Sequence, residues 1–235
     1  MSTLYANSWK LYKAVTEFFS DDIAYYKEFI GNTHSLELFA GYGRVTNQLV
    51  EQGASIETVE ILPEFSQFIE LPANHKHVCN VLDFQPEING GYQRIFAAYN
   101  SFCLLTDSAE IQRFFHLLET WLQPNGLASL NYYHPDYWNV ARQFNFQYKG
   151  QDVHYRPSFD LSNRHNGVGR WIYEFELGDD RKVTYKYNTR IYETIDCLNK
   201  FLQNTTLVVE SRVDNFNINN PMGPGWVDFI LKKKA

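Results

Sequence analysis

Two glutamates and two glycines have the spacing of a nucleotide-binding site. Glu37 precedes Gly41 and Gly43, and Glu60 lies at the end of a second apolar run. In open α/β sheets, glycines after the first strand allow a tight turn close to a ligand, and an acid at the end of the second strand binds ribose hydroxyls. The pattern therefore predicts a nucleotide site on a strand–turn–helix.

Glu37 favours a ligand that carries no phosphate at this turn. A dinucleotide brings a pyrophosphate to the helix N-terminus, where a neighbouring carboxylate would repel it. The third small residue of the dinucleotide fingerprint is also replaced here, by Thr46. S-adenosyl-L-methionine (SAM) has no phosphate, and its ammonium and sulfonium groups are positively charged, so an acid at the first turn favours SAM.

The stretch from Leu36 to Arg44 resembles motif I of class I SAM-dependent methyltransferases. The resemblance is strong over residues 34–134 and loose elsewhere. Phe39 stands where the motif usually has its first glycine, so we expect its backbone to offer a carbonyl and its side chain to point away. The resemblance implies an α/β fold with a Rossmann-like sheet of seven strands, the last one antiparallel, and SAM as the cofactor.

The same resemblance implies the residues that hold SAM. Glu60 is expected to bind the ribose, and Asn80 takes the adenine-contacting position, where its amide oxygen would accept a hydrogen bond from the adenine amino group. No metal site is expected, because His75 and His77 alternate along one strand without a third ligand. The full expected cofactor-binding set is Trp9, Tyr12, Glu37, Phe39, Gly41, Gly43, Glu60, Ile61, Asn80, Val81 and Tyr99.

Asn100, Tyr133 and His134 are the candidate catalytic residues. They follow the fourth and fifth predicted strands, and ligands of open α/β sheets bind at the carboxyl ends of strands. The turn at Tyr133 and His134 resembles the substrate-facing turn of small-molecule N-methyltransferases of the sugar-amine and glycine type. His134 would position the acceptor or take its proton. Alternatively, it is structural and bonds a backbone carbonyl before Pro135.

Hydrophobic periodicity and the family resemblance together imply four parts of the chain. Residues 1–33 form an N-terminal helical lid, although their aromatic residues could equally serve only to pack on the core. Residues 34–135 form the SAM-binding core, 136–192 form an insertion with a β-hairpin after the fifth strand, and 193–235 complete the core. Residues 136–169 show little periodicity, which predicts a loop-rich segment.

The hairpin has a predictable register. Apolar residues occupy odd-numbered positions in both of its strands, and directly opposed residues share a face. The loop therefore has an odd number of residues. A three-residue loop, Gly178-Asp179-Asp180, pairs Phe175 with Val183 and Tyr173 with Tyr185.

The amino-acid composition limits the classes of partner that the protein can have. A net charge of −6 argues against a nucleic-acid substrate, and no apolar run reaches membrane-spanning length. Cys79, Cys103 and Cys197 have no paired spacing, which predicts reduced thiols in a cytoplasmic protein. The expected partner is a small-molecule substrate, and the hairpin makes a homodimer possible.

The function predicted from the sequence is SAM-dependent methyl transfer to a small molecule, at nitrogen, in which positioning suffices without a strong base. One alternative is a SAM-consuming cyclase or lyase with the same fold and no methyl acceptor. Another is a non-catalytic SAM-binding or interaction protein, suggested by the departures at Phe39 and Asn80.

Overall fold

The chain forms a seven-stranded sheet and a four-stranded sheet. The structure is a computed structural model and describes residues 9–87, 90–140, 143–178, 181–218 and 225–234. The first sheet contains β1 (Ser35–Leu38), β2 (Ile56–Glu60), β3 (Lys76–Val78), β4 (Tyr92–Ala97), β5 (Leu122–Tyr133), β10 (Leu207–Asp214) and β11 (Trp226–Lys233). The second contains β6 (Phe144–Tyr148), β7 (Gln151–Asp160), β8 (Val168–Leu177) and β9 (Lys182–Arg190).

The helices connect and cover these strands. They are α1 (Trp9–Thr16), α2 (Ile23–Ile30), α3 (Arg44–Glu51), α4 (Pro63–Ser66), α5 (Ser108–Trp121) and α6 (Ile195–Leu202). Helix α5 buries one face, with Ile111, Phe114 and Leu118 at helical spacing, and Asp107 caps its N-terminus by accepting from two backbone N–H groups. Short 3-10 turns follow β3 and β4, at Val81–Asp83 and Ser101–Leu104.

The order of the seven-stranded sheet is β10-β11-β5-β4-β1-β2-β3. Strand β11 is antiparallel to both of its neighbours, β5 and β10, and the β5-β4-β1-β2-β3 pairs are parallel. The predicted fold class is therefore confirmed. Because β5, β4 and β1 are neighbours, the turns that follow them meet at one edge of the sheet.

The first strand and helix follow from the sequence around the glycines. Leu36 and Leu38 are fully buried in β1, and α3 starts directly after Gly43, which has a left-handed backbone with φ of 80°. A Cβ at Gly43 would lie 2.7 Å from Oδ1 of Asn47. The left-handed conformation thus favours glycine at this helix start, and a larger residue would also have to displace the Asn47 side chain.

The predicted hairpin is confirmed in β8 and β9. Phe175 pairs with Val183, and Tyr173 pairs with Tyr185. Leu177 N–H donates to the carbonyl of Arg181 at 2.9 Å, which leaves three residues in the loop. Asp179 and Asp180 lie outside the described residues.

The loop-rich prediction for residues 136–169 is wrong. Strands β6 and β7 occupy much of this segment and extend the hairpin into a four-stranded sheet, β6-β7-β8-β9. Lys149 and Gly150 form the turn between them with φ of 52° and 76°, the left-handed pair that a two-residue hairpin requires. We refer to residues 136–192 as the insert.

Cys79, Cys103 and Cys197 are free thiols. Over the described ranges, no helix has the length and apolar character needed to span a bilayer.

Candidate active site

A first cavity of about 420 Å³ opens at the carboxyl ends of β1, β2 and β3. The turns after these strands form its walls, and helix α1 contributes from above. Eight of the expected cofactor-binding residues line it: Trp9, Tyr12, Phe39, Gly41, Glu60, Ile61, Asn80 and Val81.

Glu60 is the buried acid of this cavity. Its side chain accepts hydrogen bonds from the backbone N–H groups of Gly41 at 2.7 Å and Leu62 at 2.8 Å, one on each oxygen. Burial raises the pKa of Glu60, and these backbone donors oppose that effect. Each oxygen keeps acceptor capacity, so the carboxylate is held in place and can accept from a diol.

The turn after β1 brings backbone close to the cavity. Gly41 has φ of 59°, and the position that a Cβ would take is open, so a ligand can approach this backbone. Phe39 also has a left-handed backbone, with φ of 56°, which is strained for an aromatic residue. Its ring packs against Phe114 at 6.1 Å between centroids, so much of the side chain turns toward the core.

The turns after β2 and β3 supply an apolar wall and an amide. Ile61 is 47% exposed, beside the buried Glu60. Oδ1 of Asn80 already accepts a hydrogen bond from the backbone N–H of Leu82 at 3.0 Å, which caps the 3-10 turn. The amide oxygen therefore has one remaining lone pair for a ligand, and its nitrogen is a donor.

Three expected cofactor-binding residues lie outside the first cavity. Gly43 serves the start of α3, and Tyr99 lines a second cavity. Glu37 is buried beneath the turn and accepts a hydrogen bond from the hydroxyl of Thr46. Burial raises the pKa of Glu37 to about 8, so this carboxyl is largely protonated near neutral pH. The side chain of Glu37 therefore stabilises the turn after β1 and does not face the first cavity.

Helix α1 covers both cavities. Trp9 and Tyr12 line the first, and Val15, one turn further along, lines the second. The hydroxyl of Thr16 lies 3.0 Å from that of Tyr42, the residue between the two motif glycines. This contact fixes the helix directly over the turn after β1.

Arg44 fixes the connection between α1 and α2. Its guanidinium donates to both carboxylate oxygens of Asp22, at 2.7 and 2.5 Å, and to the carbonyl of Phe19 at 2.7 Å. Asp22 is fully buried, so this bidentate pair is strongly coupled. The rings of Phe19 and Tyr99 flank the same guanidinium.

The second cavity, of about 470 Å³, lies between the insert and the carboxyl ends of β4 and β5. It adjoins the first, because Ser101 lines the first cavity and the preceding Asn100 lines the second. The centroid of the Tyr12 ring lies 6.0 Å from that of the Tyr173 ring, so Tyr12 stands between the two cavities. The described lining residues are Val15, Phe18, Phe19, Tyr99, Asn100, Tyr133, Gln143, Phe144, Asn145, Phe146, Tyr155, Pro157, Trp171, Tyr173, Tyr187 and Trp226.

Asn100 lines the second cavity, and its polar groups are bound inside the protein. Its Oδ1 accepts from the N–H of Tyr133 at 3.1 Å, its Nδ2 donates to Oγ1 of Thr189 at 3.2 Å, and its own N–H donates to Oδ1 of Asn131 at 3.1 Å. Tyr99 and Asn100 are both left-handed, with φ of 55° and 59°. This network holds that strained turn and joins it to β5 and the insert.

The buried carboxylate of Asp228 supports the hydrogen-bond network around Asn100. Asp228 accepts hydrogen bonds from Asn131 at 2.8 Å, Ser129 at 2.8 Å and Tyr26 at 3.0 Å. Burial raises the pKa of Asp228 to about 7, and the three donors oppose that rise. The chain of contacts thus runs from α2 through β11 and β5 to the turn after β4.

Tyr133 and His134, which follow Asn131 and Tyr132 at the end of β5, lie in different environments. Tyr133 lines the second cavity, and its hydroxyl donates to the carbonyl of Tyr137 at 3.2 Å. His134 lines neither cavity. Its Nδ1 accepts from the backbone N–H of Asp136 at 3.3 Å, and its ring contacts Tyr132, which faces α5 and α6 in the main core.

Sequence reasoning missed the rings that β6, β7 and β11 bring to the second cavity. Phe144 and Phe146 alternate in β6, and Tyr155 and Pro157 in β7, on the face toward the cavity. The alternation of Phe144 and Phe146, followed by the Lys149-Gly150 turn, is a local signal that could have identified them.

No family model and no curated protein sequence matches the chain. Solved structures match it over most of its length. The CcbJ methyltransferase from Streptomyces caelestis is 14% identical with a TM-score of 0.73, and the match covers 92% of this chain and 89% of that one.

Two sugar-modifying enzymes match equally well. A SAM-bound amino pentose methyltransferase from Micromonospora echinaspora, involved in calicheamicin biosynthesis, is 14% identical with a TM-score of 0.72, over 100% of both chains. A sugar N-methyltransferase from Streptoalloteichus sp. is 14% identical with a TM-score of 0.70, over 97% of this chain and 93% of that one. The chain therefore has the Rossmann-like fold of class I SAM-dependent methyltransferases.

Proposed function

We propose that this protein is an enzyme that transfers a methyl group from SAM to a small molecule, at nitrogen. The observation that carries the proposal is the buried carboxylate of Glu60, held against Gly41 in a cavity at the carboxyl ends of the first strands. When bound, SAM supplies a methyl group on a positively charged sulfur. The described cavity residues suit its adenosine part in both shape and chemistry.

Each wall of the first cavity has a role in this proposal. Glu60 accepts the two ribose hydroxyls, exposed Ile61 packs on the adenine ring, and Asn80 bonds the base edge with its free amide capacity. Trp9 and Tyr12 cover the site from α1 and exclude water. The backbone at Gly41 contacts the amino-acid part of SAM, because its open side allows close approach.

The second cavity supports nitrogen as the methylated atom. A hydroxyl acceptor must lose its proton to attack, but the described lining residues include no histidine, carboxylate or lysine to take it. Burial raises the pKa of Tyr155 and Tyr173 well above the usual value, so both phenols stay protonated. An amine in its neutral form needs no base before it attacks.

The role of the chain's residues is then to orient the acceptor. With SAM bound, the amine lone pair would form the new N–C bond, the electron pair of the C–S bond would stay on sulfur, and the resulting ammonium would release its proton to water. Asn100 and Tyr133 stand where this acceptor meets the first cavity, and alignment alone accelerates such a displacement.

Incubation with SAM, followed by mass spectrometry of the products, tests this proposal. With a mixture of apolar and aromatic amines added as acceptors, S-adenosylhomocysteine together with a methylated amine is the expected result. Methylthioadenosine as the product would replace methyl transfer by cyclisation or cleavage of SAM. Absence of S-adenosylhomocysteine binding by calorimetry would contradict any SAM-dependent activity.

A further inference from the structure

Most of the described residues that line the second cavity are aromatic. Eleven of its sixteen described lining residues are Phe, Tyr or Trp, and none of the sixteen is Asp, Glu, Lys, Arg or His. Asn100 is held by internal hydrogen bonds on its Oδ1, Nδ2 and backbone N–H, and the other two amides of the lining, Gln143 and Asn145, are at exposed positions. The ligand therefore meets ring faces and edges on most sides.

An anionic ligand is disfavoured in this cavity. A phosphate or carboxylate moved out of water needs a cation or several donors to replace its hydration. Arg44 lies against the ring of Tyr99 at 5.2 Å, but both of its terminal nitrogens are bound by Asp22. That guanidinium is thus already neutralised by a buried carboxylate and cannot serve a second anion.

In contrast, the aromatic lining favours a ligand that carries a positively charged nitrogen. Ring faces carry negative potential and attract cations, by more when the site is desolvated. Trp171, Tyr173 and Tyr187 line one wall of the cavity, with 5.9 to 6.4 Å between their ring centroids and 13° to 27° between their planes. An amine becomes cationic as it is methylated, so this wall stabilises the transition state more than the neutral acceptor.

We propose that the methyl acceptor is an amine with an apolar or aromatic body and without a phosphate or carboxylate group in the second cavity. The inference rests on the proposed function, because it names the substrate class of the same site. It also separates this chain from an enzyme whose acceptor carries an anionic group into the cavity.

Three soluble probes with one benzyl body test the preference for charge. Benzyltrimethylammonium is cationic, benzyl alcohol is neutral and benzyl phosphate is anionic. Calorimetry on the full chain, saturated with S-adenosylhomocysteine, should show the cation binding about fivefold tighter than the alcohol and benzyl phosphate not binding. Equal binding of cation and alcohol, stronger binding of the phosphate, or no binding of any probe would overturn the inference.

Charge substitutions at Gln143 locate the probe in the cavity. Gln143 is exposed and lines the edge, so Gln143→Glu and Gln143→Lys leave the core intact. The first should strengthen benzyltrimethylammonium binding and the second weaken it, each by about twofold or more. The matched pair Gln203→Glu and Gln203→Lys, at an exposed residue that lines neither cavity, should leave it unchanged. Equal effects at the two positions would place the probe elsewhere.

Failure of this inference is distinguishable from failure of the proposed function. S-adenosylhomocysteine binding with a preference for benzyl phosphate overturns the acceptor class and leaves the SAM site intact. Absence of S-adenosylhomocysteine binding overturns the proposed function, while binding of the three probes to the protein alone still reports the preference of the cavity.

Discussion

The side chain of Asn100 bonds to that of Thr189, with 3.2 Å between Nδ2 and Oγ1. This contact joins the turn after β4, in the core, to strand β9 of the insert. Thr189 is fully buried, so the hydrogen bond is shielded from water. It links the two walls of the second cavity, because Asn100 lines one wall and Thr189 lies on the strand that contributes Tyr187 to the other.

Thr189→Val should loosen the second cavity and spare the first. Valine keeps the size of threonine but leaves Nδ2 of Asn100 without its acceptor, which should lower the free energy of unfolding by about 1 to 3 kcal/mol. We expect the affinity for benzyltrimethylammonium to fall severalfold and that for S-adenosylhomocysteine to stay within about twofold. Calorimetry and urea unfolding measure these quantities.

Thr184→Val is the matched control, because Thr184 lies on the same strand but is exposed. It should change neither affinity. Equal weakening of both ligands by Thr189→Val would mean that the contact supports the whole fold without a specific effect on the second cavity.

Glu60→Gln should weaken cofactor binding. The substitution replaces one carboxylate oxygen by an N–H donor, which must then face a ribose hydroxyl or the backbone N–H of Gly41 or Leu62. We expect the affinity for S-adenosylhomocysteine to fall by about tenfold or more, from the loss of charged hydrogen bonds. Glu64→Gln, at an exposed residue of the same cavity, is the control. Unchanged affinity in Glu60→Gln would show that the ribose does not lie on Glu60.

His134→Ala should cost stability and little activity. The imidazole accepts from the backbone N–H of Asp136 and packs against Tyr132, but it lines neither cavity. We expect the melting temperature to fall by a few degrees and turnover per folded molecule to stay close to wild type. His165→Ala, at an exposed histidine, controls for loss of an imidazole. A hundredfold loss of turnover with normal cofactor affinity would restore His134 as a catalytic residue.

The pH dependence of stability should change in Glu37→Gln. Burial raises the pKa of Glu37 to about 8 in the folded protein, above the ordinary value of 4.5 that we expect after unfolding. The folded state therefore binds the proton more tightly. This contribution to stability is full below about pH 4.5 and is lost as the pH rises through about 8, by up to roughly 1.4 kcal/mol per pH unit.

Glutamine keeps an acceptor for the hydroxyl of Thr46 and does not titrate, so Glu37→Gln should lose less stability than wild type between about pH 5 and pH 8. Urea unfolding across this range measures the difference. Asp228 titrates in both proteins and cancels in the comparison. Parallel pH profiles for Glu37→Gln and wild type would mean that the pKa of Glu37 is not raised in the folded state.

The sequence predicted those parts of the fold that local patterns specify. Alternation of apolar residues in β8 and β9 determined the pairing of Phe175 with Val183, because a one-residue slip would have exposed one set of rings. The β1 turn was predictable from Gly41 and Gly43. Strands β6 and β7 were missed although Phe144, Phe146 and Tyr148 alternate with polar residues, because Pro157 interrupts the second run and argues against a strand there.

The candidate site was less predictable because its orientation depends on distant contacts. Alternation continued past the end of β5 predicts opposite directions for Tyr133 and His134, but β11 and the insert decide which direction meets the cavity. The bond from Leu82 to Asn80 likewise depends on the turn formed after β3. Roles assigned by position in a motif cannot reveal such internal partners.

The two cavities are lined by different parts of the chain, and this separation has an evolutionary consequence. Among the described residues, those of the insert line the second cavity and none of them lines the first. Under the proposed function, substitutions in the insert would therefore alter acceptor choice while the adenosine-binding turns stay unchanged. Related proteins with this arrangement could therefore change substrate through substitutions in the four-stranded sheet alone, and no intermediate form would lose the ability to bind the methyl donor.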